Sequence, residues 1–323
     1  MYRSVCGRIR PIIALLSVVL GLTACGGGSG GGTSPAPTPA PTPTPTTTTN
    51  SSLTTLVADQ DFTAISTVLS ADLSSTTGAS SNVTTSLSGL DGQSAVSYAK
   101  SGASFSPSVQ QSGVTFSQTF SSSNVVSAST TSSVRVYRVT RSDSTVDEFD
   151  LLIPGETNQK LSYVTYGQWN SPNGSSNDIN FGTVVFGLQT PDADMPTTGS
   201  ATYNGVTLGT LNVGTQLYNV GGQIQIVADF ATGGITGATD LLSKQNLSSG
   251  GVSAWRALSF SGNITSGTNL FSGTAASTDS AVSGNFNGGF FGPITGGYPP
   301  EAGGGWQVSG GNETAIGGFV GKR

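Results

Sequence analysis

The chain has 323 residues, only 9% of them charged; 12 are basic, 17 acidic and none is histidine, for a net charge of −5. Without histidine, Ser-His-Asp and Cys-His catalysis and imidazole ligation of a metal or haem are excluded. The negative balance argues against nucleic acid and against broad attraction to anionic lipid.

The first residues read as a targeting segment. Arg3, Arg8 and Arg10 precede the apolar run "PIIALLSVVLGL", which is shorter than the ~20 residues a membrane-spanning helix needs. It is the core of a signal peptide. The run ends in "LTAC", and small residues before a cysteine are what lipoprotein signal peptidase accepts, so Cys25 is expected to become the acylated N-terminus. Gly26 follows where an inner-membrane retention signal would place Asp, so the outer membrane is the expected destination. Cleavage removes three of the 12 basic residues and none of the 17 acidic ones, leaving nine against 17, a charge of −8. The other cysteine, Cys6, leaves with the signal, so the mature chain has no thiol for a disulfide or a thiolate metal site.

After Cys25, a Gly/Ser coil passes into the Pro/Thr spacer "TSPAPTPAPTPTPTTTT". Such a tether extends by about 3 Å per residue in its proline part and holds a domain away from the membrane. Residues 51–162 are Ser/Thr-rich. In "DFTAISTVLSADL", Phe62, Ile65, Val68 and Leu69 fall at helical spacing and predict a short amphipathic helix. "GVTFSQTF" and "SSVRVYRVTR" predict strands. Arg135, Arg138 and Arg141 cluster in the second, and "DSTVDEFD" follows as an acidic counterpart. A solvated hairpin with cross-strand charge pairing explains this pattern; as the sharper alternative, the three arginines are the candidate ligand-facing residues.

From Tyr163 onward, apolar residues alternate with polar ones. Val184, Phe186 and Leu188 share one face; so do Ile224, Ile226, Ala228 and Phe230, with Gln223, Gln225 and Asp229 opposite; so do Leu258, Phe260 and Ile264. Strands are expected over 163–169, 182–189, 199–211, 222–230, 235–240, 255–264, 269–275, 282–291, 304–309 and 314–322. Successive antiparallel strands joined by turns close into an up-and-down barrel. In "VSGNFNGGF", Val282, Gly284, Phe286, Gly288 and Phe290 share a face, and rings beside glycine gaps allow tight curvature. Asp192 and Asp194 in "TPDADMPT" read as a capped turn. Glu301 reads as structural, bonded to a turn amide, and Trp169, Trp255 and Trp306 as barrel core or rim.

The C-terminal stretches "FFGPITGGYPPEAGGGW" and "AIGGFVGKR" resemble the barrel signature of the transferrin-binding protein B family, as do "VVFGLQTPDADMPTTGSATYNG" and "VADFATGGITG" upstream. The "ITGGYPP" insertion before Glu301 is longer than the family pattern. The resemblance covers 163–323 and implies an all-β chain: an up-and-down antiparallel barrel of about eight strands behind a smaller, mostly-β, handle-like subdomain. The organisation is then signal peptide 1–24, lipidated tether 25–50, handle-like subdomain 51–162 and barrel 163–323. In the family Lys322 and Arg323 cap the barrel, and specificity lies in handle and barrel-end loops. Some relatives bind transferrin, some complement factor H and some carry haem. The expected function is a non-catalytic, surface-exposed outer-membrane lipoprotein that captures a host protein, iron source or other nutrient, working with an outer-membrane receptor or importer and needing no cofactor. A carrier of a small ligand such as haem, and a structural lipoprotein, are the alternatives.

Overall fold

Strands dominate because Val, Ile, Thr, Phe and Tyr recur between turns marked by glycine, and glycine adopts the left-handed backbone that tight turns require. Gly214, Gly233, Gly267 and Gly311 each sit at positive φ between successive strands. The computed structural model describes residues 49–156, 160–172 and 177–323. The expected signal peptide, Cys25 and all but the last residues of the tether lie outside the described residues. Among those described, no helix is long and apolar enough to cross a membrane.

The first nine strands are β1 (Gln60–Leu73), β2 (Ser80–Leu87), β3 (Ser94–Ala99), β4 (Ser104–Gln111), β5 (Val114–Ser117), β6 (Val134–Thr140), β7 (Val146–Leu152), β8 (Val164–Pro172) and β9 (Asp178–Gly187). They form one antiparallel sheet in the order β5-β4-β3-β1-β9-β8-β7-β6, with β2 also on β1. The sheet curls, and a crossing segment joins its two sides: Phe105 and Phe120 exchange both backbone hydrogen bonds at 2.8 Å, and the Val126 N–H donates to the Val136 carbonyl at 2.8 Å. Inside the curl lie Phe116, Phe120, Tyr137, Phe149, Trp169 and Phe186. Phe116 and Trp169 stack there, 4.2 Å between centroids.

The remaining strands are β10 (Ser200–Val213), β11 (Gln216–Asp229), β12 (Gly234–Thr239), β13 (Ser243–Asn246), β14 (Val252–Ala254), β15 (Leu258–Ile264), β16 (Leu270–Ser277), β17 (Ser283–Phe291), β18 (Glu301–Gly310) and β19 (Glu313–Lys322). Eight of them close an up-and-down antiparallel barrel, β10-β11-β12-β15-β16-β17-β18-β19, with β10 paired to both β11 and β19. The short β13–β14 hairpin extends from the far half of β11. The barrel lumen is filled by one apolar cluster that includes Phe260, Phe271, Phe286, Phe290, Trp306 and Phe319.

Two sequence expectations change. The residues expected as a helix form the central strand β1. Phe62, Ala64 and Val68 face the curl, while Ile65, Leu69 and Ala71 face the barrel. A strand buried on both faces loses its two-residue period, and here the surviving apolar spacing coincides with that of a helix. The barrel also begins later than 163: β8 and β9, expected as its first two strands, pair with β7 and β1 in the other sheet. Trp169 accordingly packs in the curl, while Trp255 and Trp306 lie in the barrel core.

The glycine-aromatic alternation works as expected. Phe271 lies opposite Gly288, Trp306 opposite Gly317, Phe319 opposite Gly304 and, in the other sheet, Trp169 opposite Gly182. A Cβ on Gly288 would stand 2.0 Å from the Phe271 ring, and one on Gly317 2.4 Å from Trp306. Each ring occupies the space that a partner side chain would fill. Outward-facing glycines do a different job. A Cβ on Gly303 would lie 2.9 Å from Val164 and Val185, and one on Gly305 2.9 Å from Thr67. They let the first sheet settle against the barrel wall.

Glu301 lies in that seam with no solvent exposure. Its Oε1 accepts the Ser162 N–H at 2.7 Å, and its Oε2 accepts those of Tyr163 at 2.7 Å and Val164 at 2.9 Å. Burial pushes its carboxyl above the ordinary value, against the downward pull of these three donors and of Lys322. The expected turn-amide role is therefore observed, with three amides rather than one. Glu301→Gln puts an amide N–H₂ against backbone donors and is expected to cost about 2–3 kcal/mol, read as a lower urea midpoint with an unchanged m-value. Gly288→Ala, which forces Phe271 out of its place, is expected to cost about 1–3 kcal/mol in the same assay.

Candidate functional site

The charged residues singled out from sequence lie on the β6–β7 hairpin at one side of the first sheet. Strand alternation divides the three arginines. Residues 135 and 138 are an odd number apart, so they leave β6 on opposite faces. Arg138 stands directly across from Glu148 and forms an ion pair with it. Arg141, in the turn after β6, donates to the Pro172 carbonyl and lies 3.5 Å from the Asp147 carboxylate. Arg135 is exposed. The hairpin thus brings Arg138 and Arg141 to acidic partners and leaves Arg135 as the arginine turned to solvent.

The expected cross-strand charge pairing is present, but the acids are not solvated. Asp147 is 3% and Glu148 7% exposed. The sequence signal was "VDEFDLL", where acids interrupt an apolar strand on both faces: Phe149 and Leu151 point into the curl, and Glu148 and Asp150 point the other way with Leu152. Burial raises the Asp147 carboxyl, partly offset by a hydrogen bond with Ser171 and by Arg141. Burial, with the neighbouring Glu148 charge added, pushes Asp150 up to about 7, against a smaller pull from Arg138. The Asp150 Oδ1 is shut off from solvent without a hydrogen-bond partner.

The other carboxylates named from sequence hold turns and strand ends. Asp192 begins a one-turn 3₁₀ segment (Asp192–Asp194), and its Oδ1 accepts the Asn269 N–H at 2.8 Å, fixing the start of β16. Asp194 is exposed in the same turn. Among the described residues no group of three or more His, Cys, Asp or Glu side chains is placed to hold a metal ion. The long "ITGGYPP" loop folds against one end of the barrel. Tyr298 stacks on Phe230 with centroids 5.5 Å apart, and the Tyr203 hydroxyl donates to the Pro299 carbonyl at 3.0 Å. Arg323 lies over the Tyr298 ring and donates to the Thr295 carbonyl at 2.7 Å, and the Lys322 ammonium donates to the Lys160 carbonyl at 3.1 Å. These two residues cap that end.

The raised Asp150 carboxyl has a consequence for stability. Below about pH 4 the group is protonated in both folded and unfolded chains. As pH rises toward its folded value of about 7, the unfolded chain ionises first and the fold loses stability. Asp150→Asn removes that loss. Its stability relative to wild type is expected to rise between pH 5 and pH 8, by an amount on the order of 2 kcal/mol, measured by urea unfolding at each pH.

Residues 195–323 match the family described as C-lobe and N-lobe beta barrels of Tf-binding protein B. Similar solved structures include intact Ap-TbpB with its N and C lobes, at 12% identity over 82% of this chain and 77% of that one, TM-score 0.42. A transferrin-binding protein B mutant from Haemophilus parasuis Hp5 aligns at 13% identity over 71% of this chain and 53% of that one, TM-score 0.41. The isotype 1 protein from serogroup B Neisseria meningitidis aligns at 12% identity over 82% and 77%, TM-score 0.36. No curated protein matches. Residues 195–323 span the barrel from just before β10 to the end of the chain, so the family match falls on the barrel and leaves the curled sheet outside it.

Proposed function

We propose that this chain is a lipid-anchored, non-catalytic binding module of the outer-membrane surface, held through Cys25, which captures an extracellular protein, iron source or other nutrient for an outer-membrane receptor or importer. The observation that carries the reading is the filled barrel: Phe271, Phe286, Phe290, Trp306 and Phe319 pack its lumen, so the barrel acts as a rigid scaffold whose faces and loops make the contacts. The barrel-family match supports the same reading, since the family is named for a transferrin-binding protein. A small-ligand carrier would need an interior that these side chains occupy. The Gly/Pro/Thr tether gives the anchored domain the reach that capture demands. Arg135 is the exposed arginine of the β6–β7 hairpin and the one open to an acidic partner surface, while Arg138 and Arg141 are held on their carboxylates.

Protease shaving of intact cells tests the premise. Peptides cut at Lys100, exposed in a one-turn segment after β3, are expected in the supernatant while a periplasmic control stays intact. Release only after the outer membrane is permeabilised would overturn surface capture. With exposure established, Arg135→Glu is expected to lower retention of iron-loaded transferrin on cells several-fold with no change in thermal midpoint; undiminished retention would remove Arg135 from the contact.

A further inference from the structure

Between residues 257 and 300 the chain carries a single charged residue, Asp279, and that one lies in a turn outside the strands. The outer wall of the barrel along β15, β16 and β17 therefore carries no charged side chain in its strands and presents mainly hydroxyl and amide groups, with Leu270 and Ala276 among them. Surface strands normally carry Lys and Glu, which keep sheet faces soluble and apart. Here a groove of about 460 Å³ opens on that wall, beside the end of β2, lined by Leu87, Ser272, Thr274, Asn285, Asn287 and Gln307.

The lining is a grid set by register. Ser272 pairs across from Asn287, Thr274 from Asn285, and Asn285 from Gln307. Neighbours across strands stand about 4.8 Å apart, and those two residues along a strand about 7 Å apart. Among the described residues, the side chains of Ser272, Asn285 and Asn287 make no hydrogen bond. The Gln307 amide has its Oε1 shut off from solvent with no partner, a costly arrangement for a buried polar atom. Leu87 supplies one apolar wall.

We propose that this groove binds a neutral saccharide. Planar amides offer a donor and an acceptor side by side, which matches the adjacent hydroxyls of a sugar ring. Leu87 suits the C–H face of that ring, and the amides of Asn285 and Asn287, which make no other hydrogen bond among the described residues, meet its hydroxyls. A nucleic acid would call for Lys and Arg, which the lining lacks. A protein partner would call for aromatic or aliphatic anchors at the centre of the patch, and the groove has Leu87 alone. The site is separate from the β6–β7 hairpin and does not depend on the capture reading.

The test uses the purified full chain on an array of neutral and acidic oligosaccharides, followed by calorimetry with maltotriose, cellotriose, triacetylchitotriose and trigalacturonate. At least one neutral glycan is expected to bind with a Kd between micromolar and millimolar, with trigalacturonate at least tenfold weaker. The double variant Asn285→Ala/Gln307→Ala is expected to weaken binding tenfold or more. Thr274→Arg, which fills and charges the groove, is expected to abolish it, and both variants should keep the wild-type thermal midpoint. No neutral glycan above background, a preference for the acidic one, or binding unchanged in the folded variants would each overturn the proposal.

Discussion

A carboxylate without access to water, receiving three backbone N–H groups from the other sheet, joins the two halves of this protein. Glu301 opens β18 of the barrel; Ser162, Tyr163 and Val164 lead into β8 of the curled sheet. Burying a carboxylate is costly unless its lone pairs are satisfied, so the contact fixes how the sheets meet as well as holding them together. Backbone can approach that closely only because Gly303, Gly305 and Gly318 present no side chain to Val164, Val185, Thr67 and Thr183. Thr67 and Thr183 share a 2.8 Å hydroxyl hydrogen bond in the same seam. Away from Glu301, Ser80 bonds Asn212 through its side chain and Thr215 through its backbone. The sheets are thus tied at more than one point along their length.

This clamp and the filled lumen together decide where chemistry can occur. Rings set across from glycines pack the barrel and the curl without leaving room for a guest, at Phe271 and Gly288, Trp306 and Gly317, and Trp169 and Gly182. Both cores are occupied, so the groups left open to solvent lie on the outside. Charge is distributed unevenly there. The β6–β7 hairpin concentrates acids and arginines in partly buried pairs, where desolvation lifts the carboxyls of Asp147 and Asp150. The barrel wall along β15–β17 is uncharged. One chain therefore presents two outer faces that differ in charge.

Much of the barrel was legible in the sequence because its strands have one face in the lumen and one in water. Ile224, Ile226, Ala228 and Phe230 alternate with Gln223, Gln225 and Asp229, and all four apolar residues lie in the barrel core. Where both faces are buried that period disappears, and β1 took on the spacing of a helix for this reason. The arginine cluster illustrates a second limit. Closeness in sequence placed Arg135, Arg138 and Arg141 in one patch, but a strand turns alternate residues to opposite sides. The depth of Asp147 and Glu148 was also hidden, since a run of acids reads as solvated unless the sheet that covers it is known.

The features readable from the chain alone are local: strand alternation, glycine turns, the ring-and-gap pattern, and the structural character of Glu301. These depend on residues a few positions apart, whose side-chain directions follow from the backbone period. Which sheet each strand joins, which face of the barrel is covered and which carboxylates are buried follow from long-range packing instead. An antiparallel strand offers the same N–H and C=O groups to any neighbour, so the assignment of β8 and β9 to the curled sheet rests on packing against residues far away in the chain.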